Sequence, residues 1–272
     1  MVYTRISELP ARTGSRGFVP TMGALHEGHL SLIRAARRET EEVAVSIFVN
    51  PTQFGPREDF SKYPRQLERD VELCRDAGAD WIFAPSAEEM YPRKTTVVSV
   101  GEVSEAFEGA KRPGHFDGVA TVVLKLFNIT QPSTAYFGRK DLQQCQVIKR
   151  MVEDLNVPLR LVFGETVREP DGLAMSSRNR YLSEENRAVA PMLYRELTLL
   201  RDQVRAAKPE AIQHLLDLSA GRLVQSGFQL DYLDLIDLPT MRPTRDCSDE
   251  CALVVAAKLG ETRLIDNVLV NS

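Results

Sequence analysis

The sequence predicts an α/β protein, with a mostly parallel sheet domain over residues 1–166 and a smaller α+β domain over residues 167–272. Three observations carry that prediction. Through the first part of the chain, short apolar β-branched runs alternate with segments of helical spacing, which is the pattern of βαβ units. Near Val167 the pattern changes to two long amphipathic helices followed by alternating strands. The 272 residues, set against roughly 150 for an average domain, leave room for one large or two small domains.

The elements follow in order. Residues 16–20 are the first expected strand, and residues 30–40 the first helix. Residues 43–49, VAVSIFV, are apolar and β-branched and stop at Asn50-Pro51, as a buried strand ending in a loop does. Further strands are expected at residues 81–84, 95–100, 135–137 and 159–163. The helices between them are expected at residues 63–77, 119–130 and 142–155. In the second domain, residues 184–207 and 210–225 read as helices and residues 230–236 as an alternating strand. Residues 251–257 and 262–270 read as two more strands, joined by a turn at Leu259-Gly260-Glu261.

Composition narrows the function classes. Hydrophobic residues at 43% beside 26% charged argue against disorder. Lys+Arg 34 against Asp+Glu 38 gives 34 − 38 = −4, without the basic excess of a protein that lives on nucleic-acid phosphates. Any anion site must therefore be a local concentration of positive charge. The four cysteines (Cys74, Cys145, Cys247, Cys251) form neither a C-x-x-C pair nor a dense disulfide framework. Residues 1–20 lack a signal-peptide apolar core, and no run approaches the ~18 apolar residues of a membrane span. A cytoplasmic protein with no membrane or nucleic-acid partner is the expectation.

The most informative segment is Phe18-Val19-Pro20-Thr21-Met22-Gly23-Ala24-Leu25-His26-Glu27-Gly28-His29-Leu30. A strand ends at Pro20, a small-residue turn follows and a helix begins near Gly28, so backbone N–H groups and the helix dipole converge where a phosphate could sit. His26 and His29, three apart, can point to one side as donors to phosphate oxygens. The residues alone leave two other readings open: a zinc pair, though the spacing is not H-E-x-x-H, and two surface histidines at a helix start. In ligand-binding α/β sheets the loops after strands hold the site. Gln53, in the loop after residues 43–49, is either an ordinary polar residue of a turn or a donor and acceptor suited to hydroxyls and a carboxylate. Gly138-Arg139-Lys140-Asp141 joins a strand to a helix, with Lys140 as a point charge and Asp141 either a helix cap or a ribose ligand. Gln144 lies one turn beyond Lys140 on the same side. Met175-Ser176-Ser177-Arg178 combines hydroxyls with a guanidinium, which matches a triphosphate or an ordinary solvated loop. Residues 109–116 lack the Lys and Ser/Thr of a P-loop, and no G-x-G-x-x-G follows the first strand.

The His26-Glu27-Gly28-His29 run resembles the H-x-G-H signature of the nucleotidylyl-transferase superfamily. The longer run PTMGALHEGHLSL, with Val45-Ser46-Ile47-Phe48-Val49-Asn50-Pro51-Thr52-Gln53-Phe54, resembles the pantothenate synthetase (pantoate–β-alanine ligase) family. The likeness continues through Tyr63-Pro64-Arg65, Arg112-Pro113-Gly114-His115-Phe116-Asp117-Gly118-Val119, Tyr136-Phe137-Gly138-Arg139-Lys140-Asp141-Leu142-Gln143-Gln144 and Met175-Ser176-Ser177-Arg178-Asn179-Arg180-Tyr181-Leu182, in the family's order. Arg139 stands where relatives often carry Lys or Glu.

The resemblance implies a Rossmann-like parallel-sheet domain with a C-terminal α+β lid domain that closes over ATP. It implies a ligase that joins pantoate and β-alanine through a pantoyl adenylate, releasing AMP and pyrophosphate. The catalytic set it implies is His26, His29 and Lys140, with His29 as proton donor. ATP falls to Met22, Gly23, Ala24, Leu25, His26, Glu27, Gly28, His29, Gly138, Arg139, Lys140, Asp141, Val167, Met175, Ser176, Ser177 and Arg178. Gln53 and Gln144 take pantoate, with Gln53 beside the β-alanine position. Mg²⁺ is expected with the triphosphate, with Asp70 as its protein ligand, and a homodimer is the expected assembly. Two alternatives stand beside this reading: an adenylyltransferase of the same superfamily that keeps the nucleotide in its product, and a catalytically silent nucleotide-binding scaffold.

Overall fold

A computed structural model describes every residue except Arg57, Asp59, Ser248, Asp249 and Ser272. The chain divides into two compact units, Met1–Arg139 with Val147–Glu165, and Lys140–Gln146 with Thr166–Ser272.

The first unit begins with β1 (Val2–Tyr3), β2 (Arg16–Thr21), α1 (Glu27–Glu39), β3 (Glu42–Ile47), α2 (Leu67–Asp76) and β4 (Trp81–Phe83). It continues through the short helices α3 (Ala87–Met90) and α4 (Glu108–Lys111), then α5 (His115–Thr130), β5 (Thr134–Gly138), α6 (Leu142–Asp154) and β6 (Arg160–Gly164). The opening turns of α6 group with the second unit. Its six strands form one parallel sheet in the order β1-β4-β3-β2-β5-β6. The order reverses where β2 lies beside β5, the switch point at which open α/β sheets receive ligands at their carboxyl ends.

The central strands are buried on both faces, which is why they read as continuous apolar runs. Phe18 and Val19 of β2 pair with Ala44 and Val45 of β3, and all four are fully buried. One face packs against α1 and α2 through Leu30, Ile33, Ala36, Val71 and Cys74. On another side, Phe127 of α5 meets Phe18 and Phe137 edge to face, at ring separations of 6.4 and 6.3 Å.

The second unit holds α7 (Glu184–Val189), α8 (Met192–Ala206) and α9 (Pro209–Gln225), then β7 (Gln229–Asp237), β8 (Cys251–Leu259) and β9 (Thr262–Leu269). These strands make an antiparallel sheet in the order β7-β8-β9. Leu193, Leu197 and Leu200 of α8 and Leu216 and Leu223 of α9 share a core with Leu253, Val255 and Leu264 of the sheet.

The α/β class expected from the sequence is the architecture found, and three local features differ from expectation. Residues 95–100 form no strand. The edge of the sheet next to β4 is taken by β1, and Val98 gives its N–H to the Thr121 hydroxyl (2.9 Å) instead of to a ladder. The two-residue β1 is too short to leave a periodic signal. The expected helix 184–207 is two helices, because Pro191 has no N–H to continue α7 and its ring clashes with the preceding turn; it caps α8 instead.

Candidate active site

The turn after β2 is built around left-handed backbone. Gly23 has φ +85° and Ala24 φ +52°, a conformation in which a side chain crowds the following carbonyl and which glycine adopts at little cost. The turn is held from both sides. The Thr21 hydroxyl donates to the Ser46 carbonyl (2.7 Å) and accepts the Gly23 N–H (3.3 Å). Asp70, in the first turns of α2, accepts the Ala24 N–H on Oδ2 (2.9 Å) and the Leu25 N–H on Oδ1 (2.8 Å).

His26 is the N-cap of α1 and His29 its third residue, and the two rings cap the helix reciprocally. The His26 Nδ1 accepts from the Gly28 N–H (3.2 Å), and the His29 Nδ1 accepts from the His26 N–H (3.4 Å). A ring nitrogen that accepts carries no proton, so each neutral imidazole keeps its proton on Nε2. The rings lie 4.2 Å apart. The glycine of the motif has a steric cause: a Cβ at Gly28 would lie 2.9 Å from the His26 Cε1 and 3.0 Å from its Nδ1. Together these place two imidazole N–H donors side by side, tilted by 46°, at a helix N-terminus whose dipole favours an anion. Glu27, the other motif residue, is tied to Arg34 along the helix.

The Gln53 loop follows β3 as a single 3-10 turn, Pro51–Gln53. Asn50, 1% exposed, organises it. Its Nδ2 donates to the Gln53 Oε1 and to the Gly118 carbonyl, both at 3.1 Å, while its Oδ1 accepts from the Thr52 N–H and hydroxyl and from the Tyr91 hydroxyl. Because Oε1 is the acceptor, the Gln53 amide presents Nε2 as donor, 3.1 Å from the Met22 sulfur. The carbonyl of Gln53 accepts from the His115 Nδ1 (2.8 Å), and Arg112 donates to the His115 Nε2 (3.0 Å) while it clasps Glu58 through Nε (2.8 Å) and Nη2 (2.7 Å). Sequence reasoning gives Asn50 and His115 no role of their own; the Asn-Pro turn after a buried strand is the one local signal for Asn50.

This network has a pH signature. Burial, then the Arg112 charge, pushes His115 down to about 4. Unfolded, a histidine titrates near ~6.5. The unfolded chain therefore binds the proton first, so this contribution to stability is complete above about 6.5 and is lost as pH falls toward 4, an amount of order 3 kcal/mol. Denaturation curves at pH 7, 5.5 and 4.5 should show the fall in the native protein. His115→Gln should be less stable at pH 7 but lack that part of the slope; equal slopes in both would contradict it.

Gly138 closes β5, and Arg139, which opens the 3-10 turn after it, pairs with Glu165 just past β6. Lys140 and Asp141 follow within the same short 3-10 turn, with Lys140 Nζ 3.7 Å from the Asp141 carboxylate. Within the second unit β9 organises the rest. Asn267 donates from Nδ2 to the Lys140 carbonyl (3.0 Å). Arg168 forms a two-pronged bond to Asp266 (2.7 and 2.9 Å) and lies over the Tyr194 ring at 3.5 Å. Val167 and Met175 are joined by a backbone bond (3.0 Å) across a tight hairpin closed at Gly172. Ser176 caps the turn Ser177–Tyr181, its hydroxyl accepting the Arg178 N–H (3.3 Å), and this turn packs against β9. Gln144 is partly exposed on the first turn of α6.

Asp70, the expected protein ligand of magnesium, is engaged with the turn before α1, each carboxylate oxygen accepting one backbone N–H. Among the described residues no three His, Cys, Asp or Glu side chains gather as a metal-binding group. Magnesium that accompanies a triphosphate is usually bound by one or two carboxylates together with phosphate oxygens and water, so it does not require such a group.

Comparison with known proteins places the chain. The family model described as pantoate-beta-alanine ligase matches residues 2–269. The pantothenate synthetase of Moorella thermoacetica is 53% identical over 256 residues, covering 94% of this chain and 90% of the relative. The crystal structure of pantothenate synthetase from Thermus thermophilus superposes with a TM-score of 0.93 at 47% identity, covering 100% of this chain and 99% of that one. A crystal structure of pantoate-beta-alanine ligase from Francisella tularensis, complexed with beta-gamma ATP and beta-alanine, gives a TM-score of 0.81 at 33% identity over 100% and 98% of the two chains. This chain belongs to the pantoate–β-alanine ligase family, the family of the pantothenate synthetases.

Proposed function

We propose that the protein joins pantoate to β-alanine at the expense of ATP, forming pantothenate, AMP and pyrophosphate. In the first half-reaction a pantoate carboxylate oxygen bonds to the α-phosphorus of ATP as the bond to the bridging oxygen of pyrophosphate breaks. In the second, the β-alanine amine attacks the acyl carbon of pantoyl adenylate, the acyl C–O bond breaks and AMP leaves, while the amine loses a proton. A carboxylate is already a nucleophile, so the first step needs placement and charge stabilisation rather than a base.

The observation that carries this reading is the pair of neighbouring imidazoles at the N-terminus of α1, each with Nδ1 accepting a backbone N–H, which leaves Nε2 as the donor. His26 and His29 serve the α-phosphate, with His29 as the main donor, and Lys140 adds positive charge there. Ser176, Ser177 and Arg178 serve the β- and γ-phosphates. Met22, Gly23, Gly138, Arg139, Asp141 and Val167 frame the nucleotide. Ala24 and Leu25 have their N–H groups tied to Asp70, so any contact they make with ATP uses other atoms. Gln53 and Gln144 hold pantoate, Gln53 through an amide oriented by Asn50. Mg²⁺ is the cation expected with the triphosphate, whose charge it would screen. The Francisella relative is complexed with beta-gamma ATP and beta-alanine, which supports two of the three substrates. A cytoplasmic homodimer is the state the family resemblance implies; no helix among the described residues is long and apolar enough to cross a membrane.

The test is product analysis with ATP, pantoate and β-alanine, each omitted in turn. AMP and pantothenate should form only with all three, with pyrophosphate appearing in a single turnover without β-alanine. A product that retains the nucleotide would instead identify an adenylyltransferase.

A further inference from the structure

We infer that Asp70 is a positioning residue of the adenylation step, holding the turn before His26 so that both imidazoles face the α-phosphate. The inference rests on the placement of ATP proposed above.

Asp70 is 2% exposed on α2, 45 residues or more along the chain from the two N–H groups it holds. Those groups sit in consecutive residues, Ala24 and Leu25, which follow the left-handed Gly23. In that conformation neither N–H finds a strand or helix partner. Two buried N–H groups without acceptors would be costly, and an alanine at positive φ persists only where its surroundings over-determine it. One carboxylate answers both demands, through two charge-assisted bonds of 2.8 and 2.9 Å. The fit is close: a Cβ at Gly23 would come within 2.9 Å of the Asp70 Oδ2.

The next residue after Leu25 is His26, the N-cap of α1, whose ring is locked to Gly28 and whose N–H is locked to His29. No flexible residue separates the clamp from the donors. The path from Asp70 to each imidazole is thus a short chain of backbone and cap hydrogen bonds within one unit, anchored by the buried side chains of Ala24 and Leu25. Displacing reacting groups by about 1 Å can lower a rate about a hundredfold, so a slackened turn should act on rate before it acts on folding. A metal ligand would behave differently, since losing it would weaken the ion and raise the magnesium needed.

The test is single-turnover formation of pantoyl adenylate from ATP and pantoate by the native protein, Asp70→Asn, Asp70→Ala and His29→Ala, each over a range of free Mg²⁺. Asparagine keeps one acceptor oxygen, so the rate should fall in the order Asp, Asn, Ala, by about 10- to 100-fold for alanine. The amount of adenylate per chain should stay near that of the native protein, which a merely unfolded fraction would not allow. The half-saturating Mg²⁺ should be unchanged. A native rate in Asp70→Asn and in folded Asp70→Ala would overturn the inference, as would recovery of the native rate at high Mg²⁺. If His29→Ala also made adenylate at the native rate, the placement of ATP itself would be wrong, a different failure from that of Asp70.

Discussion

His29→Ala is expected to lower kcat for adenylate formation by about 10²–10³-fold, the usual effect of removing one preorganised donor from developing negative charge. ATP should still bind, because the remaining ligands of the triphosphate lie elsewhere in the sequence. The substitution also deletes half of a reciprocal cap, which costs about 1 kcal/mol of helix stability, so the two effects must be separated. Asparagine at position 29 can accept the His26 N–H as the imidazole does, yet it places no donor where Nε2 stands. His29→Asn should recover the stability and leave the rate low. Rapid-quench measurement of adenylate beside thermal melts reads both, and a rate that returned with the cap would remove His29 from the chemistry.

Gly118→Ala should produce the second large effect, although the residue touches no ligand in the scheme. A Cβ built there would lie 2.4 Å from the Thr52 carbonyl oxygen and 2.7 Å from the Gln53 nitrogen. Both are backbone atoms, so no side chain can swing aside. The turn carrying Gln53 must move, and with it the Asn50 bond to the Gly118 carbonyl. Overpacking of this kind costs about 1–3 kcal/mol. Displacing Gln53 should lower kcat/KM for pantoate by about 10–100-fold, with the KM for ATP little changed. Melting curves and substrate-varied kinetics check the two parts; equal losses for pantoate and ATP would contradict the local cause.

The fold is legible where hydrophobic pattern and length agree. The run 43–49 announces a central strand because both faces of the sheet are covered. Residues 95–100 carry strand-forming residues but pair with no strand, the place beside β4 being held by β1, which no local pattern reveals. Pro191 is a visible breaker inside an amphipathic run, and here the proline outweighs the periodicity that continues past it. In the site, motif residues are legible because cap chemistry and dipole act over three or four residues; the His26–His29 pair is of this kind. The groups that hold the motifs are not. Asp70 reaches Ala24 and Leu25 from another helix, and His115 reaches the Gln53 carbonyl from α5. An acidic residue on a helix gives no sign in the sequence that its oxygens hold a turn in another part of the chain.

The coupling route is tested most directly with pantoate carrying ¹⁸O in its carboxylate, turned over with ATP and β-alanine, and mass analysis of the released AMP. If the carboxylate attacks the α-phosphorus and the amine then breaks the acyl C–O bond, AMP receives one carboxylate oxygen and pyrophosphate none. Unlabelled AMP, or label appearing in inorganic phosphate beside ADP, would contradict the adenylate route.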